Sequence, residues 1–284
     1  MSRGTGRVGP RSPYLGAIVA AVQAPATIAV QVVNYRTRSY LERCLATVVP
    51  DVRRSGLDYE INLLDNASGE ALEDFPRSFD ACRAFTAERN LGFGGGHNLL
   101  ASKTEARYLL ILNPDVEFLL PDTTTQLVAA MVSIDRVWAV GPKLITASGT
   151  AQPYDHGRLR GVRAQISLRG GHSYWHETDV RQDVAWVSGA VMLIERAAFA
   201  KVGGFDEKLF LYKEDEDLCL RLRQEGGRVL YEPSVVIRHH GSVVADRQVD
   251  LKRASAYFSA KHLPNRRSRR LFEAVHHLLP YLRL

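Results

Sequence analysis

The 284-residue chain is 45% hydrophobic and 24% charged, with a formal net charge of +6, so it holds enough apolar material for one large core or two small ones. The positive excess sits at the ends: residues 1–13 carry Arg3, Arg7 and Arg11 with no acid, residues 252–284 carry eight Lys/Arg against Glu273, and the body from 14 to 251 is left at −4. That distribution removes the main support for nucleic acid as a partner. Cys44, Cys82 and Cys219 stand far apart in no Cys-x-x-Cys or Cys/His spacing, which speaks against a disulfide framework and a structural zinc site and for a reducing compartment.

Residues 1–26, rich in Gly, Pro and Arg, read as a disordered or loosely attached lead. Their arginines, the apolar run Leu15 to Val22 and Ala24-Pro25-Ala26 imitate a secretory signal, but the run is short and a strand follows it. No apolar run approaches the ~20 residues of a spanning helix. Strand-like stretches are expected at Thr27 to Val33, Tyr59 to Leu64, about Arg83 to Ala87, Tyr108 to Leu112 and Trp138 to Leu144, with helices at about Ser39 to Val49 (stopped by Pro50), Glu70 to Phe79, the segment up to Thr104, and Asp122 to Ile134. Such alternation predicts an α/β fold with a largely parallel sheet covered by helices on both faces. Thr146 to Asp183 has little periodicity and reads as a functional excursion of flap type. Beyond it lie a buried strand over Trp186 to Ile194 with Gly189 inside, where another group can come close, a short helix from Arg196 to Val202, and two short strands, Arg228 to Glu232 and Val235 to Arg238.

Ligands of open α/β sheets sit outside the carboxyl ends of the strands. Asn34-Tyr35, Asp65-Asn66, Arg89-Asn90 and Asn113 to Asp115 all fall there. Each alone is ordinary turn chemistry; four on one rim predict a ligand edge. The glycine run from Gly92 to Gly96 misses G-x-G-x-x-G because residue 97 is His97, and no G-K-[ST] ending follows. What it leaves is either a close backbone approach to a ligand ahead of a phosphate-facing helix N-terminus or a tight packing turn.

Leu211 to Arg223 is the most unusual stretch, because Glu214-Asp215-Glu216-Asp217 runs straight into a helical pattern. Leu218, Cys219 and Leu222 mark a core-facing side, and Asp217 and Arg221 are spaced to pair. First-turn acids are favoured by the helix dipole, but two would serve; four repel one another and point to a use for the charge. Asp115, after a buried strand, is placed to bind a hard divalent ion together with diphosphate oxygens, with His239 as a second ligand and Asp215 as a general base.

V-V-N-Y at 32–35, L-D-N-A-S at 64–68, N-L-G-F-G-G-G-H-N at 90–98, L-N-P-D-V at 112–116, W-V-S-G-A at 186–190, G-G-F-D-E at 203–207, E-D-E-D-L-C-L-R at 214–221 and H-H-G-S at 239–242 together resemble the family 2 inverting glycosyltransferases, in particular their rhamnosyltransferase-like branch. The resemblance spans roughly residues 27–262 and implies a GT-A, Rossmann-like three-layer α/β/α sandwich with a mostly parallel mixed sheet. It implies a nucleotide-sugar donor, with dTDP-L-rhamnose the best guess, and a glycan or polyprenyl-diphosphate-linked acceptor in cell-envelope polysaccharide synthesis. Asp215 would take the acceptor proton. Asn34, Tyr35, Asp65, Asn66, Asn90 and Asn113 would line the nucleotide pocket, with Asp65 on the base. Asp115 and His239 would hold Mg²⁺ or Mn²⁺, and Trp186, Gly189 and Glu214 would shape the acceptor or sugar pocket. The chain departs from the family's pattern in three places: Asn113 replaces the first acid of its D-x-D, Tyr35-Arg36 stands where it often has Tyr-Asn, and His97-Asn98 where many relatives have two asparagines; His240 offers an alternative imidazole.

Residues 263–284 form a basic amphipathic pattern, with Arg266, Arg267, Arg269 and Arg270 before Leu271, Phe272, Val275, Leu278, Leu279 and Leu282. Such a helix suits either the inner face of an anionic membrane, giving a cytoplasmic, peripheral enzyme, or docking on the domain. Two rivals are a sugar nucleotidyltransferase, which usually carries a glycine-rich basic loop after its first strand where this chain has Asn34-Tyr35, and a nucleotide-sugar-binding protein without turnover.

Overall fold

Ile28 to Asn34 is buried at nearly every position, as a strand covered on both faces must be. In the computed structural model, which describes residues 28–159, 175–241 and 247–262, this strand, β1, pairs in parallel with β2 (Tyr59–Asp65) and β4 (Tyr108–Leu112). With β3 (Cys82–Thr86), β5 (Val116–Phe118), β6 (Val137–Ile145), β8 (Gln182–Asp183), β10 (Val191–Glu195) and β11 (Arg228–His239) it forms a nine-stranded sheet ordered β3-β2-β1-β4-β10-β6-β11-β5, with β8 against β11. β10 runs antiparallel between β4 and β6, and β5 and β8 run antiparallel to β11; the other pairings are parallel. A two-stranded ribbon of β7 (His156–Gly157) and β9 (Trp186–Val187) stands beside the main sheet.

Alternate residues of each strand feed opposite cores. Val30, Val32, Leu110 and Leu112 pack with Leu41, Leu45 and Val48 of α1 (Arg38–Arg54) and Leu127 and Met131 of α4 (Thr123–Val132). Ala29, Leu109 and Ile111 pack with Phe199 of α5 (Arg196–Lys201) and Leu218, Cys219 and Leu222 of α6 (Glu214–Gln224). A third cluster joins Leu64 to Leu100 of α3 (Gly92–Ala101). The expected α/β/α layering is therefore present.

Several element expectations need correction. Pro50 does not stop α1, because Asp51 and Val52 beyond it are buried against the core, and that burial outweighs the one backbone bond proline forgoes. The helix expected over Glu70 to Phe79 shrinks to α2 (Phe75–Ser78), which Pro76 opens; Glu70 is instead drawn to Asn34 Nδ2 at 2.9 Å. The single strand expected over Trp186 to Ile194 is two strands on different sheets, broken at Ser188–Ala190. The two short strands near the end are one, β11, with an irregular register between Glu232 and Val236. α7 (Arg247–His262) was not expected. Within the excursion, residues 146–159 and 175–183 are hydrogen-bonded onto the sheet; its remainder, the lead 1–26 and the helix at 263–284 lie outside the described residues.

Candidate active site

Parallel pairing puts the carboxyl ends of β1, β2 and β4 in one row, with Asn34 opposite Asp65. Reversal of β10 brings its amino end to the same rim, where Asn113 N–H donates to Ala190 O at 2.8 Å. Immediately before it, Gly189 N–H donates to Asp215 Oδ2 at 2.9 Å. The Gly189–Ala190 turn thus ties the first turn of α6 to the end of β4, two residues from Asp115. A side chain at 189 would lie 2.9 Å from the Phe93 ring and 3.5 Å from Asp215 Cβ, so the close approach expected at this glycine is made by the Phe93 ring, with the Asp215 side chain in ordinary contact beside it.

Asp115 and His239 meet through sheet register. β5 leaves just after Asp115 and pairs Val116 with His239, which sets Asp115 Oδ1 3.2 Å from His239 Nε2. Burial acts to raise the Asp115 carboxyl, but the His239 contact and backbone N–H groups, including that of Gly241, outweigh it and hold it below the ordinary range. His239 Nε2 also lies 3.1 Å from Asn113 Nδ2, and Nδ1 lies 2.7 Å from Gln152 Oε1. His240 points elsewhere, with Nε2 2.9 Å from Glu117 Oε1; of the two imidazoles, His239 is the one facing Asp115. Among the described residues no group of three or more His, Cys, Asp or Glu could hold a metal.

Asp215 is half-buried and accepts N–H from both Gly189 and Glu216. Burial, then the charge of Glu216, lift its carboxyl to about 6 against those two donors. Glu214 is buried, one of its oxygens has no partner, and burial followed by the Asp215 charge pushes it well above the usual range. Tyr212 and Lys213, both with positive φ, make the sharp entry to the helix, and Lys213 Nζ pairs with Glu216 Oε1 at 2.8 Å.

The nucleotide-side residues lie on the rim but are largely engaged with one another. Asn34 holds Glu70 through Nδ2 and accepts from Thr37 through Oδ1. Asp65 closes its own turn, accepting from the Ser68 hydroxyl and the Ser68 and Gly69 N–H groups. Asn66 donates to Asn90 Oδ1 and Gly92 O and accepts Leu91 N–H, while Asn90 Oδ1 also takes Gly92 N–H. Tyr35 is half-exposed with the Arg36 guanidinium 5.3 Å from its ring centre. Trp186 is buried in the core beside Gly157, so it meets the site through the turn that follows it.

The glycine run resolves as the packing alternative. Gly92 to Gly96 are the first turns of α3, and a Cβ at Gly94 would lie 2.7 Å from Phe205 Cβ, one at Gly96 2.9 Å from Val33. The first N–H groups of that helix go to Asn90 Oδ1 and Phe210 O, not to an open phosphate cradle. His97 is fully buried, and burial drives its imidazole down to about 3, so it is a neutral core residue between Phe93 and Phe205. A cavity of about 400 Å³ bounded by Asn98, Gly204, Asp206, Glu207, Arg221 and Lys261 contains none of the rim residues; Lys261 pairs with Asp206 and Arg221 with Asp217, while Glu207 accepts from Asn98 Nδ2. Sequence reasoning missed Gln152 and Glu117, which belong to no motif and become visible only through their imidazole partners.

A family model described as glycosyltransferase-like family 2 matches residues 25–248. N-acetylglucosaminyl-diphospho-decaprenol L-rhamnosyltransferase of Mycobacterium tuberculosis is 31% identical over 242 residues, covering 73% of this chain and 74% of that protein. Rhamnosyltransferase WbbL of Escherichia coli is 44% identical over 57 residues, 20% of this chain and 22% of its own length. Among solved structures, GalNAc-T7 with UDP, GalNAc and Mn²⁺ has a TM-score of 0.59 at 18% identity over 78% of this chain and 45% of that one, so the chain spans under half of it. TarS of S. aureus in complex with UDP-GlcNAc has a TM-score of 0.58 at 13% identity over 83% and 69%. At these identities the structural likeness is one of fold, the GT-A arrangement.

Proposed function

The chain belongs to glycosyltransferase-like family 2 and is a glycosyltransferase, and from that premise we propose that it moves a sugar, L-rhamnose from dTDP-L-rhamnose, with inversion, to a hydroxyl of a glycan or polyprenyl-diphosphate-linked acceptor in cell-envelope polysaccharide synthesis. The observation that carries the reading is the Gly189–Ala190 turn, which holds the Asp215 carboxylate and the β4 end that precedes Asp115 to a single rim. The name of the Mycobacterium relative, which specifies a rhamnosyl donor and a diphospho-decaprenol acceptor, supports the substrate classes.

In this reading Asp215 is the base. Its two backbone donors hold the carboxylate still, and a pKa of about 6 leaves it ionised yet basic at neutral pH. As the acceptor oxygen bonds to the anomeric carbon, the bond to the diphosphate breaks on the opposite face and the hydroxyl proton passes to Asp215. Asn34, Tyr35, Asp65, Asn66 and Asn90 shape the nucleotide side, and Glu214 the sugar or acceptor side. Asp115 and His239, facing one another with side chains 7% and 11% exposed, would hold Mg²⁺ or Mn²⁺ as a two-residue site that donor diphosphate oxygens would complete. A cation there would supply Lewis-acid stabilisation of the departing diphosphate.

Asp215→Asn is expected to lower transfer by about 10²–10⁴-fold while the nucleotide still binds, as read by a thermal-shift panel of UDP, dTDP and GDP sugars with and without Mn²⁺. Full transfer by this variant would remove Asp215 from the mechanism. A dTDP-sugar that gives no shift where another nucleotide does would replace the donor.

A further inference from the structure

Gln152 has no place in any recognisable motif, yet it sits directly behind the imidazole assigned to the metal. Its Oε1 is 2.7 Å from His239 Nδ1, and a carbonyl oxygen only accepts, so the neutral ring carries its proton on Nδ1. On the far side Asn113 Nδ2 is 3.1 Å from Nε2; an amide nitrogen only donates, so Nε2 keeps its lone pair. Gln152 and Asn113 call for the same tautomer, whereas Asp115 Oδ1, 3.2 Å from Nε2 with the two side chains 7% and 11% exposed, only accepts and calls for an N–H there. A cation held by both Nε2 and Asp115 reconciles the three, because it takes the place of that N–H.

The support behind Gln152 is stiff. Its N–H donates to Leu144 O at 2.9 Å, Ala151 bridges to Ile145, and Thr146 N–H donates to Thr150 O at 2.8 Å, making a tight hairpin at the end of β6. Three residues on, the buried Asp155 carboxylate takes the Leu144 N–H, the Tyr231 hydroxyl and the Trp175 indole N–H, and lies 2.7 Å from His156 Nδ1. The Asp155 carbonyl accepts Ser188 N–H at 2.9 Å, one residue before Gly189. The same hairpin therefore braces both the His239 side and the Asp215 side of the rim.

We propose that Gln152 is a positioning residue that locks His239 in the Nδ1–H tautomer and so presents the Nε2 lone pair to a divalent cation shared with Asp115. This rests on the reading of Asp115 and His239 as the metal pair. Outer partners of this kind change metal affinity by about 10–100-fold when removed.

The test is proton–nitrogen NMR of the full chain labelled with ¹⁵N-histidine at pH 8, with the His239 signals identified by their loss in His239→Ala, followed by titration with Mn²⁺ in the presence of dTDP or UDP, whose diphosphate completes the site. Expected for wild type is the Nδ1–H pattern for His239 and paramagnetic broadening of its ring signals. Gln152→Leu should shift the ring toward Nε2–H, donated to Asp115, and raise the Mn²⁺ needed for half-broadening about tenfold; Gln152→Glu, still an acceptor, should restore the wild-type tautomer. An Nε2–H pattern in wild type overturns the proposal without needing any variant to fold. So does a folded Gln152→Leu with unchanged tautomer and Mn²⁺ response. A wild-type Nδ1–H ring that Mn²⁺ leaves sharp would instead sink the metal reading, and with it the purpose assigned to Gln152.

Discussion

Glu214 and Asp215 are neighbours in sequence with opposite electrostatic fates. Asp215 is half-buried and caught by two N–H donors; burial and the Glu216 charge lift it to about 6 against those donors, so the proposed base is ionised at neutral pH. Transfer should therefore rise with pH through about 6 as the carboxylate loses its proton, and a pH–rate profile of kcat/KM without that acid limb would contradict its role as base. Glu214 is fully enclosed with an unpartnered oxygen and is held well above the carboxylate range. A raised folded-state pKa means that protons bind the native state more tightly, so this group's stabilisation is present at low pH and lost as pH rises through the folded value. Glu214→Gln, which keeps the shape without the charge, should raise Tm, by more at pH 8 than at pH 5. Equal melting of variant and wild type at both pH values would show the charge to be compensated.

Among the elements, α3 shows how a sequence signal can be real and its purpose different. Five residues from Gly92 to Gly96 include four glycines, which reads as room for a ligand, but the room is filled by Phe205, Val33 and Phe210. Glycine lowers helix propensity by roughly 1 kcal/mol per residue, and here that loss permits contact between backbone and neighbouring side chains. Gly94→Ala should destabilise the fold by about 2 kcal/mol through overpacking against Phe205, measured as a lower urea midpoint at unchanged m-value. An unchanged midpoint would mean that Phe205 yields freely. α1 makes the converse point: Pro50 is a strong local stop, overridden because Val49 and Val52 bury on the sheet and Asp51 accepts the Thr123 and Thr124 N–H groups that open α4.

At the scale of the whole molecule, α7 is fastened to α6 through one buried acid. Asp217, fully enclosed, meets Arg221, Lys261 and His262, and Asp206 meets Lys261 and Tyr257. Burial acts to raise Asp217, but His262, Lys261 and Arg221 prevail and hold it at about 2. A depressed pKa gives stability that is complete above the unfolded value near 3.8 and is lost as pH falls through about 2. Asp217→Asn leaves Arg221 without its counter-charge and Lys261 with Asp206 alone, and should cost about 3 kcal/mol, with faster amide exchange along Arg247–His262. Unchanged exchange there would show that apolar packing around Phe258, itself fully buried, holds α7 without the acid.

By itself the sequence determined the strands β1 to β4 and β6, that their polar ends share one rim, and that Asp217 pairs with Arg221. These depend on side-chain periodicity and on residues a few positions apart, so short-range chemistry suffices. Only the tertiary structure decided that the glycine run packs a helix, that Asn66 and Asn90 bond to each other, that His239 and not His240 faces Asp115, and that Gln152 stands behind it. Those facts follow from strand register: β5 folding back onto β11 sets Val116 opposite His239, and a shift of one residue would turn every side chain of the pair to the other face. No local pattern encodes that choice, because it is made by the burial of the whole sheet at once.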